Sequence, residues 1–277
     1  MRIRIVDAFT DRPFTGNPAG VLLLDAFPED SWLQAVAREV NHAETAFAHP
    51  LPSGGEADWA LRWFTPAAEV DLCGHATLAT AHVLRESGQA DGEVGGEVRF
   101  ATRSGVLTAR VDPEGGAVTL DFPTSALHPR PVPDGLSEAL GGAPVRSAHA
   151  TSPHVGDLLV ELADERSVRV LTPDLALLGP FAPRGVIVTA PAADPAEGQD
   201  YVSRCFYPNV GVPEDPVTGS AHTALAPFWS ERLGRADLIG LQASPRPGRV
   251  RTSWRGARTR LTGHAVTVID GTLNAGA

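Results

Sequence analysis

Hydrophobic and polar positions alternate from the first residues of the chain. In MRIRIVDAFT the apolar side chains recur at every second place, the period of a half-buried strand and not of a helix. The stretch REVNHAETAFAHP closes an amphipathic helix and opens a second strand-like run, with Glu44 at its head. A pleated surface favours β-branched and aromatic side chains, so a carboxylate there asks for a reason. Further on, His75 to Ser87 reads as a helix closed by Gly88, and a second helical stretch ends at Gly234 with Pro227 as a kink within it. PRPGRVRTSWRGARTRL alternates about Gly256 and predicts a hairpin with an arginine-lined solvent face. PTSALHPRPVPDGLSEALGG, with prolines at 123, 129, 131 and 133, has the composition of a linker.

Two of these stretches echo each other. Trp63 to Leu84 and Cys205 to Trp229 each begin with Phe-x-Pro at a strand end, cross an acidic loop, and reach a Gly-polar-Ala step that opens an Ala- and Leu-rich helix. Phe64 to Gly74 spans ten residues and Phe206 to Gly219 thirteen, so the second loop is longer. The chain thus divides into two related halves, 1–127 and 128–277, each with many short strands and one central helix; the last strand is free to return to the first half. A helix start carries unpaired N–H groups and a partial positive charge, so it can hold a carboxylate. Glycine at 74 and 219 would let a ligand approach the backbone. An ordinary strand-to-helix turn uses the same residues, Gly for geometry and Ser for capping; repetition, with acidic groups near both steps, favours a cradle for a small anionic molecule.

Composition narrows the chemistry. A chain of 277 residues, 43% hydrophobic, can bury a core as one large domain or two smaller ones. No apolar run approaches the roughly 20 residues of a membrane span, and the start lacks a basic segment followed by an apolar signal region, so a soluble cytoplasmic protein is expected. A net charge of -10 disfavours nucleic acid and anionic membranes as partners. The local exception is the six arginines between Arg246 and Arg260. There is no lysine, which excludes a pyridoxal-phosphate Schiff base, a lysine base and a Walker phosphate loop. Cys73 and Cys205 lie far apart without CxxC spacing, against a disulfide framework or structural zinc site. His42-Ala43-Glu44 has the H-x-E form of zinc deaminases, but the partner P-C-x-x-C is missing. No metal site and no cofactor are expected.

At DAFTDRPFTGNPAGVLLL, HAETAF, RWFTPAAEVDLCGHATLATAHVL, GVPEDPVTGSAHTALAPFW and GHAVTVIDGTL the sequence resembles the PhzF family, the phenazine-biosynthesis isomerase-like proteins that share the diaminopimelate epimerase fold. The resemblance covers essentially the whole chain. It implies an α+β fold of two pseudo-symmetric lobes, each a mixed, barrel-like sheet around a central helix, with the active site in the cleft between them, and a homodimer. It implies that Glu44, in Ala43-Glu44-Thr45-Ala46-Phe47, is the general acid/base. Gly74-His75 matches the family's G-H step, and Asp215, Pro216, Val217, Thr218, Gly219 and Ser220 match its D-P-x-T-G-S motif. On this reading Glu44 shuttles the proton, His75 and Asp215 orient the substrate and support the second proton position, and Ser220 with the Gly219 N–H binds a substrate carboxylate. Thr218 and His222 complete the expected lining. The expected reaction is a cofactor-independent isomerisation like that of trans-2,3-dihydro-3-hydroxyanthranilate.

Two departures bear on this expectation. The family commonly reads N-L-S-E-T where this chain has Asn41-His42-Ala43-Glu44-Thr45, so the hydroxyl beside the carboxylate is missing and the namesake substrate is open. Related epimerases place a thiol before each Gly-polar step, whereas here Cys73 precedes Gly74 but Thr218 precedes Gly219. A hydroxyl does not replace a thiolate at neutral pH, so an amino-acid epimerase or racemase ranks second. A non-catalytic binding protein ranks third, since a binder has no use for a proton shuttle.

Overall fold

The computed structural model describes residues 1–89, 96–153 and 155–276. They form two units, residues 1–121 with 262–277, and residues 122–261. In chain order the first stretch holds β1 (Arg2–Ala8), β2 (Asn17–Leu23), α1 (Asp30–Val40), β3 (Glu44–Pro50), β4 (Trp59–Phe64), β5 (Glu69–Val70), α2 (Gly74–Glu86), β6 (Glu97–Thr102), β7 (Gly105–Val111) and β8 (Val118–Pro123). The second holds β9 (Leu127–Arg130), α3 (Leu136–Ala139), β10 (Val145–Thr151), β11 (Asp157–Leu162), α4 (Glu165–Arg169), α5 (Leu175–Leu178), β12 (Gly185–Pro191), β13 (Tyr201–Tyr207), β14 (Val212–Asp215), α6 (Gly219–Leu233), β15 (Asp237–Gln242), β16 (Gly248–Arg255) and β17 (Arg258–Gly263). The chain then returns to the first unit through β18 (Ala265–Thr272).

In the first unit β1 lies between β18 and β2, antiparallel to both. β2 and β3 are parallel, β3 and β4 antiparallel, and β5 returns antiparallel on β4. β4 and β6 are parallel, and β6 and β7 antiparallel. From β10 to β16 the second unit repeats the same series of relations in the same order: antiparallel, parallel, antiparallel, a short antiparallel return, parallel, antiparallel. The echo at the two Gly-polar-Ala steps is therefore the visible part of a repeat of the whole topology, in which α2 and α6 occupy equivalent places.

Both helices are core helices. Every residue of α2 from His75 to Leu84 is buried, and the helix packs on β1, β2, β3, β7 and β18. A helix apolar all round has no solvent face and belongs inside its sheet. α6 is buried from Ala221 to Ser230 and packs on β15 and β16. Its Trp229 ring stacks on Tyr201, centroids 5.9 Å apart, and Phe228 meets Trp229 edge-on at 5.2 Å. α2 ends as its sequence predicts, with Gly88 in the left-handed region at φ 65°, and α6 ends at Gly234, φ 66°. Pro227 lies within α6, which continues through it.

The proline-rich stretch after residue 123 is more than a linker. It contributes β9, paired antiparallel with β10, and the short α3, whose Leu136 and Ala139 join the core of the second unit. The division between units falls inside β8, a few residues before the expected 127/128, and residues 262–277 belong with the first unit. The predicted hairpin is formed by β16 and β17 about Gly256, φ 66°, with Arg249, Arg251, Arg255, Arg258 and Arg260 exposed.

Candidate active site

In the first unit the expected residues meet where two elements begin. Glu44 is the first residue of β3, opposite Ala19 of β2, and its side chain keeps 20% of its exposure. The strand that follows runs into the core through Ala46, Phe47 and Ala48, so the backbone anchoring the carboxylate is fixed by packing. Phe47 lies edge-on to Phe64 at 5.6 Å. Asn41 supplies the turn before it, in the left-handed conformation at φ 53°, with its N–H on the Ala37 carbonyl.

Cys73 is the N-cap of α2 and Gly74 its first residue, and no side chain caps this helix start. The Cys73 carbonyl accepts from the N–H of Thr77 at 3.1 Å and from its hydroxyl at 2.6 Å, which pins the first turn. Nε2 of His75 stands 3.3 Å from Oε2 of Glu44, within ion-pair reach but off the axis of a hydrogen bond. Nδ1 of the same ring stands 3.5 Å from the Cys73 sulfur. Burial pushes the His75 pKa down to about 3, so the ring is neutral at physiological pH and its contact with Glu44 is not an ion pair.

Glu44, Cys73 and His75 offer donor atoms within 4.8 Å of one another, a spacing compatible with a metal ion. One imidazole nitrogen, the sulfur and one carboxylate oxygen thus form a compact triangle at the start of α2.

In the second unit the start of α6 is equally bare of a capping side chain, with Thr218 as its N-cap. The Thr218 hydroxyl donates to Asp215 Oδ2 at 2.5 Å, and the Thr218 N–H donates to Gln242 Oε1 at 2.9 Å. Gln242 Nε2 donates to the Asp215 carbonyl at 2.8 Å and to the Thr218 hydroxyl at 3.2 Å, tying the loop before the helix to β15. Ser220 Oγ accepts from Arg184 Nη2 at 3.0 Å. Arg184 is held by the carboxylate of Asp157, whose side chain is fully buried, and lies over the Tyr207 ring at 4.6 Å. Burial raises the Asp157 pKa, and the guanidinium works against that rise. The Arg184–Asp157 pair owes its position to the parallel register Asp157 opposite Gly185. A side chain at 185 would place its Cβ 2.1 Å from the Phe206 carbonyl, so only glycine fits there.

His222 is fully buried. Its Nδ1 is 2.9 Å from the Tyr201 hydroxyl, its ring also bonds Gln242, and its backbone N–H donates to the Thr218 carbonyl at 3.4 Å. Burial holds its pKa down at about 3. Cys205 is buried in β13 with its thiol pushed up by desolvation, so it is an inert core residue. Arg184, Asp157 and Gln242 carry no local sequence signal. Each is a lone polar residue brought to the helix start by strand register.

Both glycines of the repeated step are helical, so neither is required by a left-handed backbone. What remains of their purpose is the missing side chain. Two equivalent uncapped helix starts, one beside a neutral imidazole and a carboxylate, the other beside a braced serine, stand in a fold of the epimerase-like α+β class. The family model of phenazine biosynthesis-like proteins matches residues 6–271. An uncharacterized isomerase of Pseudomonas aeruginosa is 49% identical over 97% of each chain. The crystal structure of a PhzF family protein from Enterococcus faecalis superposes with a TM-score of 0.88 at 37% identity, covering 98% of this chain and 97% of that one. A hydroxyproline epimerase from Agrobacterium vitis shares the fold, with a TM-score of 0.63 over 98% of this chain and 91% of its own at 14% identity. The chain belongs to the PhzF family.

Proposed function

We propose that the protein is a cofactor-independent isomerase that moves a proton within a small carboxylate-bearing substrate, with Glu44 as the shuttle. The observation that carries this reading is the pairing of a partly exposed carboxylate with a buried, neutral imidazole 3.3 Å away at a helix start. A partly exposed carboxylate held beside a neutral imidazole is within reach both of a substrate and of a neighbour that steadies it, which suits a group that must take and return a proton. His75 steadies Glu44. The N–H groups that open α6, with Ser220, take the substrate carboxylate, and Asp215 supports the second proton position. Ser220 Oγ accepts from Arg184, which leaves its own O–H to donate outward. The relative named an isomerase supports the class; the substrate stays a proposal, as do a cytoplasmic location and the homodimer that sedimentation would test.

The experiment is proton NMR in D2O with trans-2,3-dihydro-3-hydroxyanthranilate, run beside the Glu44→Gln variant. Deuterium uptake with a moved double bond in the wild type alone is the expected result. Exchange retained by the folded variant would remove Glu44 from the role. Inversion at one carbon without a moved double bond would instead select the epimerase.

A further inference from the structure

Cys73 has no part in that reading, yet its sulfur joins two residues that do. One donor atom from each of Glu44, Cys73 and His75 lies within 4.8 Å of the other two. Oε2 of Glu44 is 3.3 Å from Nε2 of His75, and the Cys73 sulfur is 3.5 Å from Nδ1. Around a tetrahedral zinc ion, with bonds of about 2.0 Å to nitrogen and oxygen and about 2.3 Å to sulfur, neighbouring ligand atoms stand roughly 3.3 to 3.5 Å apart. The triangle is thus close to the size such an ion sets, and the partly exposed Glu44 side chain has room to close the remainder. A second observation points to a ligand. His75 is 6% exposed, and its Nε2 is buried, makes no hydrogen bond and faces the carboxylate. A buried nitrogen left so is costly, and an ion is a group that satisfies it.

We propose that Glu44, Cys73 and His75 form a binding site for a zinc-like divalent ion, and that an ion held there stops proton transfer by occupying the Glu44 carboxylate. On binding, the Sγ–H proton passes to solvent as the bond from Sγ to the ion forms, and the imidazole binds in its neutral form. Thiolate and carboxylate together carry two negative charges and cancel those of the ion, as a site with two buried ligand residues requires. The donor set also selects the element: thiolate with imidazole suits zinc-like ions, whereas magnesium and calcium take oxygen. The partial positive charge at the start of α2 opposes a lone cation but favours a thiolate, so both anionic ligands are needed. Two of the ligands are pre-positioned on the first turn of a buried helix, where Thr77 holds the Cys73 carbonyl through both its N–H and its hydroxyl. Three protein ligands leave a fourth position for water. The site stands apart from any activity; the inhibition rests on Glu44 being the proton shuttle.

The rival account leaves the three groups as mere neighbours with no affinity for a metal. The probe that separates the two is Co2+, a spectroscopic stand-in for zinc, titrated without substrate into the full chain lacking a histidine tag. A thiolate-to-cobalt band in the near ultraviolet is expected, bleached by Zn2+. Cys73→Ser should lose the band and Cys205→Ser keep it. Glu44→Gln and His75→Gln should each weaken Co2+ binding by roughly tenfold or more, since even an outer-shell partner of a metal is commonly worth that much. Serine is a favoured N-cap, so Cys73→Ser is expected to fold, with circular dichroism as the check. No band in the folded wild type, a band that survives Cys73→Ser, or Glu44→Gln binding Co2+ as tightly as the wild type would each overturn the site. Inhibition is read in D2O as the ratio of substrate exchange with and without Zn2+ in the same protein. The wild type should fall by roughly tenfold or more and Cys73→Ser should not; a wild-type rate that zinc leaves unchanged or raises overturns the inhibition. Because the cobalt titration needs no substrate, failure of the isomerase reading leaves the test of the site intact, and failure of the site leaves the exchange assay intact.

Discussion

The starts of α2 and α6 are one backbone device furnished twice. Each is a helix opened by glycine after a short return strand, with an N-cap residue that makes no side-chain cap. Around α2 stand a thiol, an imidazole and a carboxylate, all groups whose protonation can change in ordinary chemistry. Around α6 stand a hydroxyl, an amide and a guanidinium clamped on a buried carboxylate, joined by hydrogen bonds of 2.5 to 3.2 Å. A permanently charged guanidinium and a satisfied amide fix geometry and move no proton. One start thus gathers a thiol, an imidazole and a carboxylate, whereas the other binds its single carboxylate, Asp215, into a hydrogen-bonded brace.

The comparison breaks most decisively at Glu44. Glu44→Gln should lower deuterium exchange into a substrate by about 10²–10⁴-fold, the usual worth of a general acid/base, with little change in thermal stability. A variant that loses stability but keeps exchange would reverse the comparison. Next comes Arg184→Met, which leaves the buried Asp157 carboxylate without its partner. A loss of about 3 kcal/mol in urea unfolding is expected, and a cost under about 1 kcal/mol would mean that the second start is not braced as described.

Acid should act on both units, through one buried ring in each. The pKa values of His75 and His222 are about 3 in the folded protein against 6.5 ordinarily. Between those values the unfolded chain binds the extra protons, so folded stability is full above 6.5 and falls as the pH drops, by about 1.4 kcal/mol per pH unit for each ring. His75→Gln should remove one such contribution from the slope; a slope unchanged in acid titrations of both His75→Gln and His222→Gln would show the rings titrating normally. The smallest effect belongs to Thr218→Val, which deletes a hydroxyl shared by Asp215 and Gln242 and should cost about 1–2 kcal/mol. No measurable loss in denaturant titration would mean that the loop before α6 is not held by that hydroxyl.

Much of this was legible where chemistry is local. Alternation marked β1, the amphipathic pattern closing in REVNHAETAFAHP marked the end of α1, and Gly88 and Gly234 marked the ends of α2 and α6. Glu44 stood out because a strand does not ask for it. Cys73 was visible beside Gly74, but its closeness to Glu44 depends on how the start of β3 meets the start of α2, which no spacing encodes. Arg184 and Ser220 lie 36 positions apart, and Gln242 and Thr218 lie 24 apart. Such partners are chosen by the register of β11, β12 and β15, a product of many weak packing preferences. The stretch after residue 123 misled for a related reason: prolines signal the loss of backbone donors, and β9 pairs with β10 in spite of Pro129.

The return of β18 to β1 also sets an order in time. β1 leaves the ribosome well before β18, so one long edge of β1 waits for its partner while the whole of the second unit is made. Residues 122–261 emerge as an uninterrupted block and can close their own core before the first unit has its final strand. The unit that carries Glu44 is therefore completed after the second, and a nascent chain stalled short of residue 265 presents β1 as an open sheet edge, the kind of surface on which strands of other chains pair and aggregate.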